Sequence, residues 1–135
     1  MAQVCKNGGM LLRPATIDDA ECLFIWRNDE LTRKMSRNTD PVEWNSLIKW
    51  LKSRLARDEP SLFMAELEGV PVGTVRIDDD EISYTVAPEH RGRGVATKML
   101  VEAKRMFGAL RAEIKPDNEA SIRAAKAAGH KVVIL

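Results

Sequence analysis

The chain has 135 residues, of which 44% are hydrophobic and 30% are charged, so it is long enough for one hydrophobic core and too short for two. Its formal net charge of +1 at pH 7 provides no extended basic field, which argues against nucleic acid as the main ligand. We expect a single domain over residues 1–135 that acts on a small molecule.

Cysteine usage and hydropathy indicate the compartment. Cys5 and Cys22 are too few and too irregularly placed for a disulfide framework, and no Cys/His group has metal-ligand spacing. The N-terminus lacks the basic and apolar regions of a signal peptide, and no apolar run approaches ~18 residues. We therefore predict reduced thiols, no metal, no membrane partner and a cytoplasmic location.

The first segments of the chain predict a loose end, a strand and a helix. Residues Met1–Gly8 show no pattern, whereas Met10–Arg13 is typical of a short strand. Thr16 is a suitable N-cap, and with Asp19 it forms a variant of the capping box. The helix that follows is predicted to end near Asn28.

A polar loop and a second helix come next. The loop is predicted over residues 35–40, and Asp40 is a suitable N-cap for a helix with Pro41 at its first position and Glu43 at its third. One apolar stripe marks the buried face of this helix: Trp44, Leu47, Ile48, Leu51 and Leu55.

The middle of the chain predicts two strands joined by a turn. Residues Leu62–Leu67 and Val70–Ile77 have strand composition, and Glu68-Gly69 lies between them. The aspartates of residues 78–80 are predicted to form a solvated turn, because no loop with calcium-binding spacing follows them.

The most informative stretch is a strand that breaks into a glycine-rich turn and continues as a helix. Glu81–Val86 alternates polar and apolar residues, and an amphipathic helix is predicted over Val95–Phe107. Arg91-Gly92-Arg93-Gly94 lies between them, so backbone N–H groups at the start of the helix would point at one place, beside the positive end of the helix dipole. Such a turn binds phosphate. On the turn alone, a tight solvent-exposed turn without a ligand is an equally good interpretation.

The last segments predict a strand, a helix and a strand. A fifth strand covers Leu110–Lys115. Asn118 caps a final helix, Gly129 ends it, and Lys131–Leu135 forms a sixth strand.

Several of these segments together resemble one family. Arg91-x-x-Gly94-x-Ala96 resembles the Q/R-x-x-G-x-G/A signature of the GNAT superfamily of acetyl-CoA-dependent N-acetyltransferases, where it joins the fourth strand to the third helix. Asn118-x-x-Ser121, followed by residues 128–130, resembles the family's fourth helix, which usually ends in Gly-Phe. Residues 12–20 look like the first strand and helix, and residues 72–75 look like the third strand. The order and spacing agree over nearly the whole chain.

The resemblance implies an α/β (α+β) fold, with a mixed, mostly antiparallel central sheet of about six strands flanked by four helices. Members of the family commonly continue into a seventh strand, which this sequence does not show. We therefore expect either an open sheet edge, available to a second copy of the chain in a homodimer, or a shortened C-terminus.

The resemblance also implies acetyl-CoA as the co-substrate. The fourth and fifth strands would splay apart, and backbone groups of Thr85, Val86 and Ala87 would hold the pantetheine arm. The turn and the helix after it would bind the pyrophosphate, and two residues of the last helix would approach the pantetheine. These residues are Arg91, Gly92, Arg93, Gly94, Val95, Ala96, Thr97, Asn118 and Ser121.

Acetyl transfer by direct attack of an amine on the thioester needs a base, an oxyanion donor and an acid. By resemblance, the Val86 N–H is the oxyanion donor. Glu81 is the candidate base, with an ordinary strand-start carboxylate as an equal alternative, and His90 is better explained as a surface residue. Many members have a Tyr acid in the fourth helix, where this chain has Ala125. Tyr84, the only tyrosine, is the candidate acid, and a core packing role is the alternative.

The Trp26-Arg27-Asn28 motif resembles a GNAT subgroup that acetylates amino-sugar nucleotides, and it implies that these three residues bind the acceptor. A frayed helix end with Trp26 in the core is the alternative interpretation. The favoured activity is N-acetylation of a small-molecule amine, with an amino-sugar nucleotide as acceptor. Acetylation of a protein N-terminus or lysine, and a non-catalytic acyl-CoA-binding module, are the competing hypotheses.

Overall fold

The computed structural model describes residues 9–135. Within them lie six strands: β1 (Met10–Pro14), β2 (Leu62–Leu67), β3 (Val70–Asp78), β4 (Glu81–Val86), β5 (Arg111–Ile114) and β6 (Lys131–Ile134). The same part of the chain has five α-helices: α1 (Ala20–Arg27), α2 (Glu30–Met35), α3 (Trp44–Leu55), α4 (Val95–Phe107) and α5 (Glu119–Ala128). The predictions made for Met1–Gly8 and for Cys5 lie outside the described residues.

The strands form one open sheet in the order β1-β2-β3-β4-β5-β6. The pairs β1–β2, β2–β3 and β3–β4 are antiparallel, whereas β4–β5 and β5–β6 are parallel. This confirms the expected mixed, mostly antiparallel sheet. Only Glu81 and Arg111 pair between β4 and β5, so these two strands diverge after their first residues.

Each face of the sheet buries its own apolar cluster. Helices α4 and α5 cover one face, where Met99 and Leu100 are fully buried against Val75 of the sheet. Helices α1 and α3 cover the other face, where Leu51 packs with Met64. The sheet is therefore buried on both faces, and its central strands carry the site between two layers of helices.

Two features of the helical segments differ from the sequence-based predictions. Helix α2 was not predicted, so there are five α-helices rather than four. Helix α3 begins at Trp44, and Asp40 does not cap it. The reason lies in Val42, whose backbone N–H and C=O both bond the side-chain amide of Asn28, at 2.7 and 2.9 Å. The Asn28 amide thus occupies the Val42 carbonyl, which a helix beginning at Pro41 would use in its own pairing.

Other local predictions are confirmed. The Thr16 amide donates to the Asp19 carboxylate (2.8 Å), and this capping box opens a short 3₁₀ turn before α1. Asn118 accepts a hydrogen bond from the Ser121 amide, and Gly129 ends α5 with a φ of 88°.

The free edge of β6 lies at one side of the sheet, and Val133 and Ile134 are exposed there. None of the helices within residues 9–135 has the length and apolar character needed to cross a membrane.

Candidate active site

A cleft of about 370 Å³ opens where β4 and β5 diverge. Its walls come from the end of β4, the turn after it, the first turn of α4, helix α2 and the start of α5. The cleft brings together most of the residues predicted to bind the coenzyme, namely Thr85, Val86, Arg91, Gly92, Gly94, Val95, Ala96, Thr97, Asn118 and Ser121. Ala87 and Arg93 are not part of its lining.

The backbone of β4 presents only alternate residues to this cleft. Ala87 donates its N–H to Val72 of β3 (2.8 Å), and its carbonyl accepts from His90 (2.9 Å). Because the ladder alternates, Thr85 also directs its backbone groups toward β3, where it faces Thr74. The expectation that Thr85 and Ala87 have free backbone groups is therefore wrong. Val86 points its N–H the other way, toward the gap where β5 no longer pairs with β4.

The turn between β4 and α4 has the backbone geometry of a phosphate site. Gly92 and Gly94 have φ values of 76° and 73°, in the left-handed region that favours glycine. A Cβ atom added at either glycine would meet no atom within 4 Å, so the space in front of the turn is open. Helix α4 begins at Val95, and the N–H groups of its first turn have no intrahelical acceptor. Several donors and the helix dipole therefore face the same open space.

The side chain of Arg91 is held by α2. It donates to the Asp29 carboxylate and to the Thr32 hydroxyl (3.0 Å). Asp29 also caps α2 by accepting from the Thr32 amide (3.0 Å). Burial alone would raise the pKa of Asp29, but the bonds from Arg91 and Thr32 outweigh it and lower the pKa. Asp29 was missed as a site residue, and its place directly after the Trp-Arg-Asn motif was the available signal.

Tyr84 and Ser121 face each other across the cleft. The Tyr84 hydroxyl donates a hydrogen bond to the Ser121 hydroxyl, which joins β4 to α5. Burial raises the pKa of Tyr84, although the bond to Ser121 acts in the opposite direction. Tyr84 therefore stays protonated at neutral pH, with its hydroxyl at the cleft rather than inside the core. Ala125, at the position of the family's tyrosine, is fully buried.

Glu81 lies on the other face of β4, because side chains alternate along a strand. Its carboxylate accepts from Arg37 (2.8 Å) and lies 3.6 Å from Arg111. The same two arginines contact Glu113 of β5, with Arg111 at 3.0 Å. Arg111 also pairs with Asp80 (2.8 Å), so Glu81 is part of a five-residue ion-pair group. Arg37 and Glu113 were not predicted, since no local sequence signal connects them to Glu81.

The Trp-Arg-Asn motif is largely structural. Trp26 is 5% exposed and belongs to the cluster beneath α3, as the alternative interpretation had it. The Asn28 amide is occupied by Val42. The burial of Trp26 contradicts its predicted contact with the acceptor. Asn28 is half-buried, and its contact with the acceptor stays a prediction. Arg27 remains, and it donates to the hydroxyl of Ser36 (2.7 Å), a residue that lines the cleft.

Arg93 and the aspartates of residues 78–80 do not line the cleft. Arg93 is exposed and lies 3.5 Å from the His90 ring. Asp78 and Asp80 face arginines. Within residues 9–135, no group of three or more His, Cys, Asp and Glu side chains could hold a metal ion.

Solved structures with the same fold contain the coenzyme. The YncA protein of Salmonella typhimurium, solved with its cofactor acetyl-CoA, is 25% identical, with a TM-score of 0.69 over 89% of this chain and 78% of that one. An aminoglycoside acetyltransferase solved with coenzyme A and kanamycin is 21% identical, with a TM-score of 0.70 over 89% and 83%. Spermidine N-acetyltransferase of Vibrio cholerae, with CoA and spermine, is 17% identical, with a TM-score of 0.78 over 90% and 80%.

No match is found among curated proteins. The model of the acetyltransferase (GNAT) domain matches residues 10–131, which includes β1 to β5 and the first residue of β6. The glycine turn, the divergence of β4 from β5 and this match together show that the chain belongs to the GNAT acetyltransferase family.

Proposed function

We propose that the protein is an acetyl-CoA-dependent N-acetyltransferase that transfers the acetyl group to a primary amine of a small molecule. The observation that carries this proposal is the cleft at the end of β4, which gathers the phosphate turn, the inward N–H of Val86 and the Tyr84 hydroxyl in one place. In this proposal the amine attacks the thioester directly.

The coenzyme would lie along the cleft. The N–H groups of residues 94–97 would bind the pyrophosphate, and the Thr97 hydroxyl faces the same space. The pantetheine arm would follow β4 where β5 has left it, using the backbone groups of Tyr84 and Val86 that point into the gap. The thioester oxygen would then accept the Val86 N–H, which stabilises the negative charge formed during attack.

The two catalytic side chains lie on opposite faces of β4. Glu81 faces the α1 and α3 side and would take a proton from the acceptor ammonium, directly or through a water molecule. The neutral nitrogen then bonds to the carbonyl carbon, and the carbon–sulfur bond breaks. Tyr84, on the α4 and α5 side, would donate its proton to the departing thiolate and regain one from solvent. Acid and base are thus separated by the strand that holds the thioester.

The proposal that the acceptor is a small amine has less direct support than the coenzyme site. Kanamycin and spermine are bound by structures with the same fold, and both are small amines. An amino-sugar nucleotide remains a hypothesis that depends mainly on Arg27, since Trp26 is buried and the Asn28 amide bonds Val42.

A cytoplasmic location and a homodimer through the exposed edge of β6 also stay predictions. Light scattering of the purified protein would test the dimer.

Isothermal titration with acetyl-CoA tests the coenzyme site. Gly94→Trp should abolish binding, because its side chain would fill the open space before the turn. Gly69→Trp is the matched control: Gly69 has a φ of 82°, and a Cβ there also meets no atom within 4 Å, but it lies in the β2–β3 turn. If both variants lost acetyl-CoA binding equally, backbone strain would be the cause. If the folded wild type did not bind acetyl-CoA, the proposal would be refuted. A thiol-release assay with small amines then tests transfer.

A further inference from the structure

Positive charge is in excess around Asp78, at the end of β3. Three guanidinium groups share the single carboxylate of Asp78. Arg54 Nη1 lies 2.7 Å from it, Arg57 Nη1 3.1 Å and Arg76 Nε 3.3 Å. Arg54 is only 8% exposed and contacts both Asp78 oxygens, so it takes most of the acceptor capacity. The other arginines are left with incomplete partners.

Arg76 shows this shortage most clearly. Its Nε is buried and has no hydrogen-bond partner within residues 9–135, because the approach to Asp78 lacks hydrogen-bond geometry. Its Nη2 reaches the Ser83 hydroxyl only at 3.4 Å. A guanidinium has five N–H donors, and 43% of this side chain is still exposed. The exposed N–H groups of Arg76 can therefore donate further hydrogen bonds to the oxygens of a ligand.

Arg27 lies nearby and has no carboxylate partner among the described residues. Its one side-chain hydrogen bond there goes to the neutral Ser36 hydroxyl. Burial lowers the pKa of Arg27. Burial is also the main cause that lowers the pKa of Arg76. The charge of Asp78 opposes this effect, and the charges of Arg54 and Arg27 act in the same direction as burial. A half-buried pair of like charges is costly unless an anion joins it.

These arginines border the place where the acceptor would react. Ser83 faces Arg76 across the β3–β4 ladder and lies between Glu81 and Thr85 on the same face of β4. With a rise of ~3.3 Å per residue, Ser83 is roughly 7 Å from each of them. Ser36, which holds Arg27, lines the cleft itself. An anionic group at the arginines would therefore be within a small molecule's length of an amine beside Glu81.

We propose that Arg27 and Arg76 form an anion subsite, and that the natural acceptor is a primary amine that also carries a carboxylate or phosphate group. The inference rests on the proposed acetyltransferase function and specifies its substrate class. A planar guanidinium binds either oxyanion through two parallel hydrogen bonds. A polyamine such as spermine would instead bring further positive charge to this place.

Matched acceptors test the proposal in a thiol-release assay. We expect 4-aminobutyrate to be preferred over butylamine, or glucosamine 6-phosphate over glucosamine, and the pair with the larger difference distinguishes a carboxylate from a phosphate subsite. The preference in kcat/KM should be about 10- to 100-fold, the range of hydrogen bonds to charged groups. Arg76→Gln and Arg27→Gln should remove it mainly through KM, and Arg76→Lys should retain part of it. Arg123→Gln, at an exposed position on α5, is the control.

A binding experiment tests the anion subsite independently of turnover. With acetyl-CoA saturating the phosphate turn, inorganic phosphate titrated into the wild type should release heat that Arg27→Gln and Arg76→Gln abolish. Unchanged acetyl-CoA affinity in both variants shows that they are folded. Phosphate binding that is absent, or equal in all variants, would overturn the anion subsite, as would equal turnover of the two members of each acceptor pair. Loss of acetyl-CoA binding by the wild type would instead refute the proposed function.

Discussion

The Tyr84 hydroxyl of β4 donates a hydrogen bond to the Ser121 hydroxyl of α5 across the cleft. In many GNAT enzymes, by resemblance, the acid is a tyrosine of the helix that α5 represents. Here that position is Ala125, which is fully buried, and the hydroxyl comes from the opposite wall. The cleft therefore contains a phenol although the helix does not provide one.

Replacement of this phenol tests its role. Tyr84→Phe should lower kcat by about 10²-fold, because thiolate departure then lacks a positioned acid, while acetyl-CoA affinity stays unchanged. Since burial raises the pKa of Tyr84, the protonated donor persists through neutral pH and is lost only above the usual value of ~10. The wild-type rate should accordingly fall at high pH, and Tyr84→Phe should lack that limb. Stopped assays across pH measure both effects.

Ser121→Ala is the control for the tyrosine. It removes the partner of the hydroxyl but keeps the phenol, so kcat should change by only a few-fold. If Tyr84→Phe retained wild-type kcat, Tyr84 would be a packing residue and solvent would protonate the thiolate.

Glu81 can be distinguished from its neighbour Glu113 by a pair of substitutions. Glu81→Gln should lower kcat at neutral pH by about 10²- to 10³-fold, because the acceptor ammonium can no longer lose its proton to the protein. The deficit should shrink as pH rises toward the pKa of the acceptor amine. Glu113→Gln also removes a carboxylate from Arg37, yet it should stay within a few-fold of wild type. If both substitutions lowered kcat equally, the effect would come from the lost negative charge of the ion-pair group and not from Glu81 acting as a base.

The Asp29–Arg91 pair predicts a pH-dependent contribution to stability. Asp29→Asn keeps a good N-cap for α2 and removes only the charge, so we expect a loss of about 0.5–1 kcal/mol at pH 7. Because the folded-state pKa of Asp29 is lowered, the contribution is present above its unfolded value of ~3.9 and disappears as pH falls through the folded value. Urea unfolding should therefore separate the two proteins at pH 7 and not at pH 2.

Asp29→Ala completes this comparison, since it removes the cap as well as the charge and should cost about 1 kcal/mol more at every pH. A difference between Asp29→Asn and wild type that persists at pH 2 would contradict an origin in the ion pair.

The sequence predicted features that depend on neighbouring residues. The glycine turn, the alternation of Glu81–Val86 and the Asn118 cap are local patterns with local causes, and the structure has all three. Helix α2 escaped prediction because it has six residues and none is buried, so no apolar stripe marks it. Its signals were Asp29 as N-cap, Glu30 in the first turn and basic residues in the last turn.

Long-range partners account for the other differences. The sequence motif that contains Asn28 does not reveal that Val42 occupies its amide. The links from Arg37 to Glu81 and from Arg54 to Asp78 likewise arise only after the sheet and helices assemble. A motif indicates which chemistry is present, but the folded chain decides which of its polar groups remain available.

His130 gives a prediction in which the family pattern and the structure disagree, since this position follows the helix-ending glycine and is usually Phe in the family. His130 is 6% exposed, its Nδ1 accepts from the buried Leu110 amide (3.0 Å), and its Nε2 donates to the Leu100 carbonyl (2.7 Å). His130→Phe should therefore lower stability by about 1–3 kcal/mol, because the buried Leu110 N–H loses its acceptor. The Leu100 carbonyl loses its bond to the imidazole but keeps its helical partner in α4. His130→Gln, which keeps an acceptor and a donor, should lose less. Thermal unfolding measures both, and a more stable His130→Phe would show that apolar packing outweighs the two hydrogen bonds.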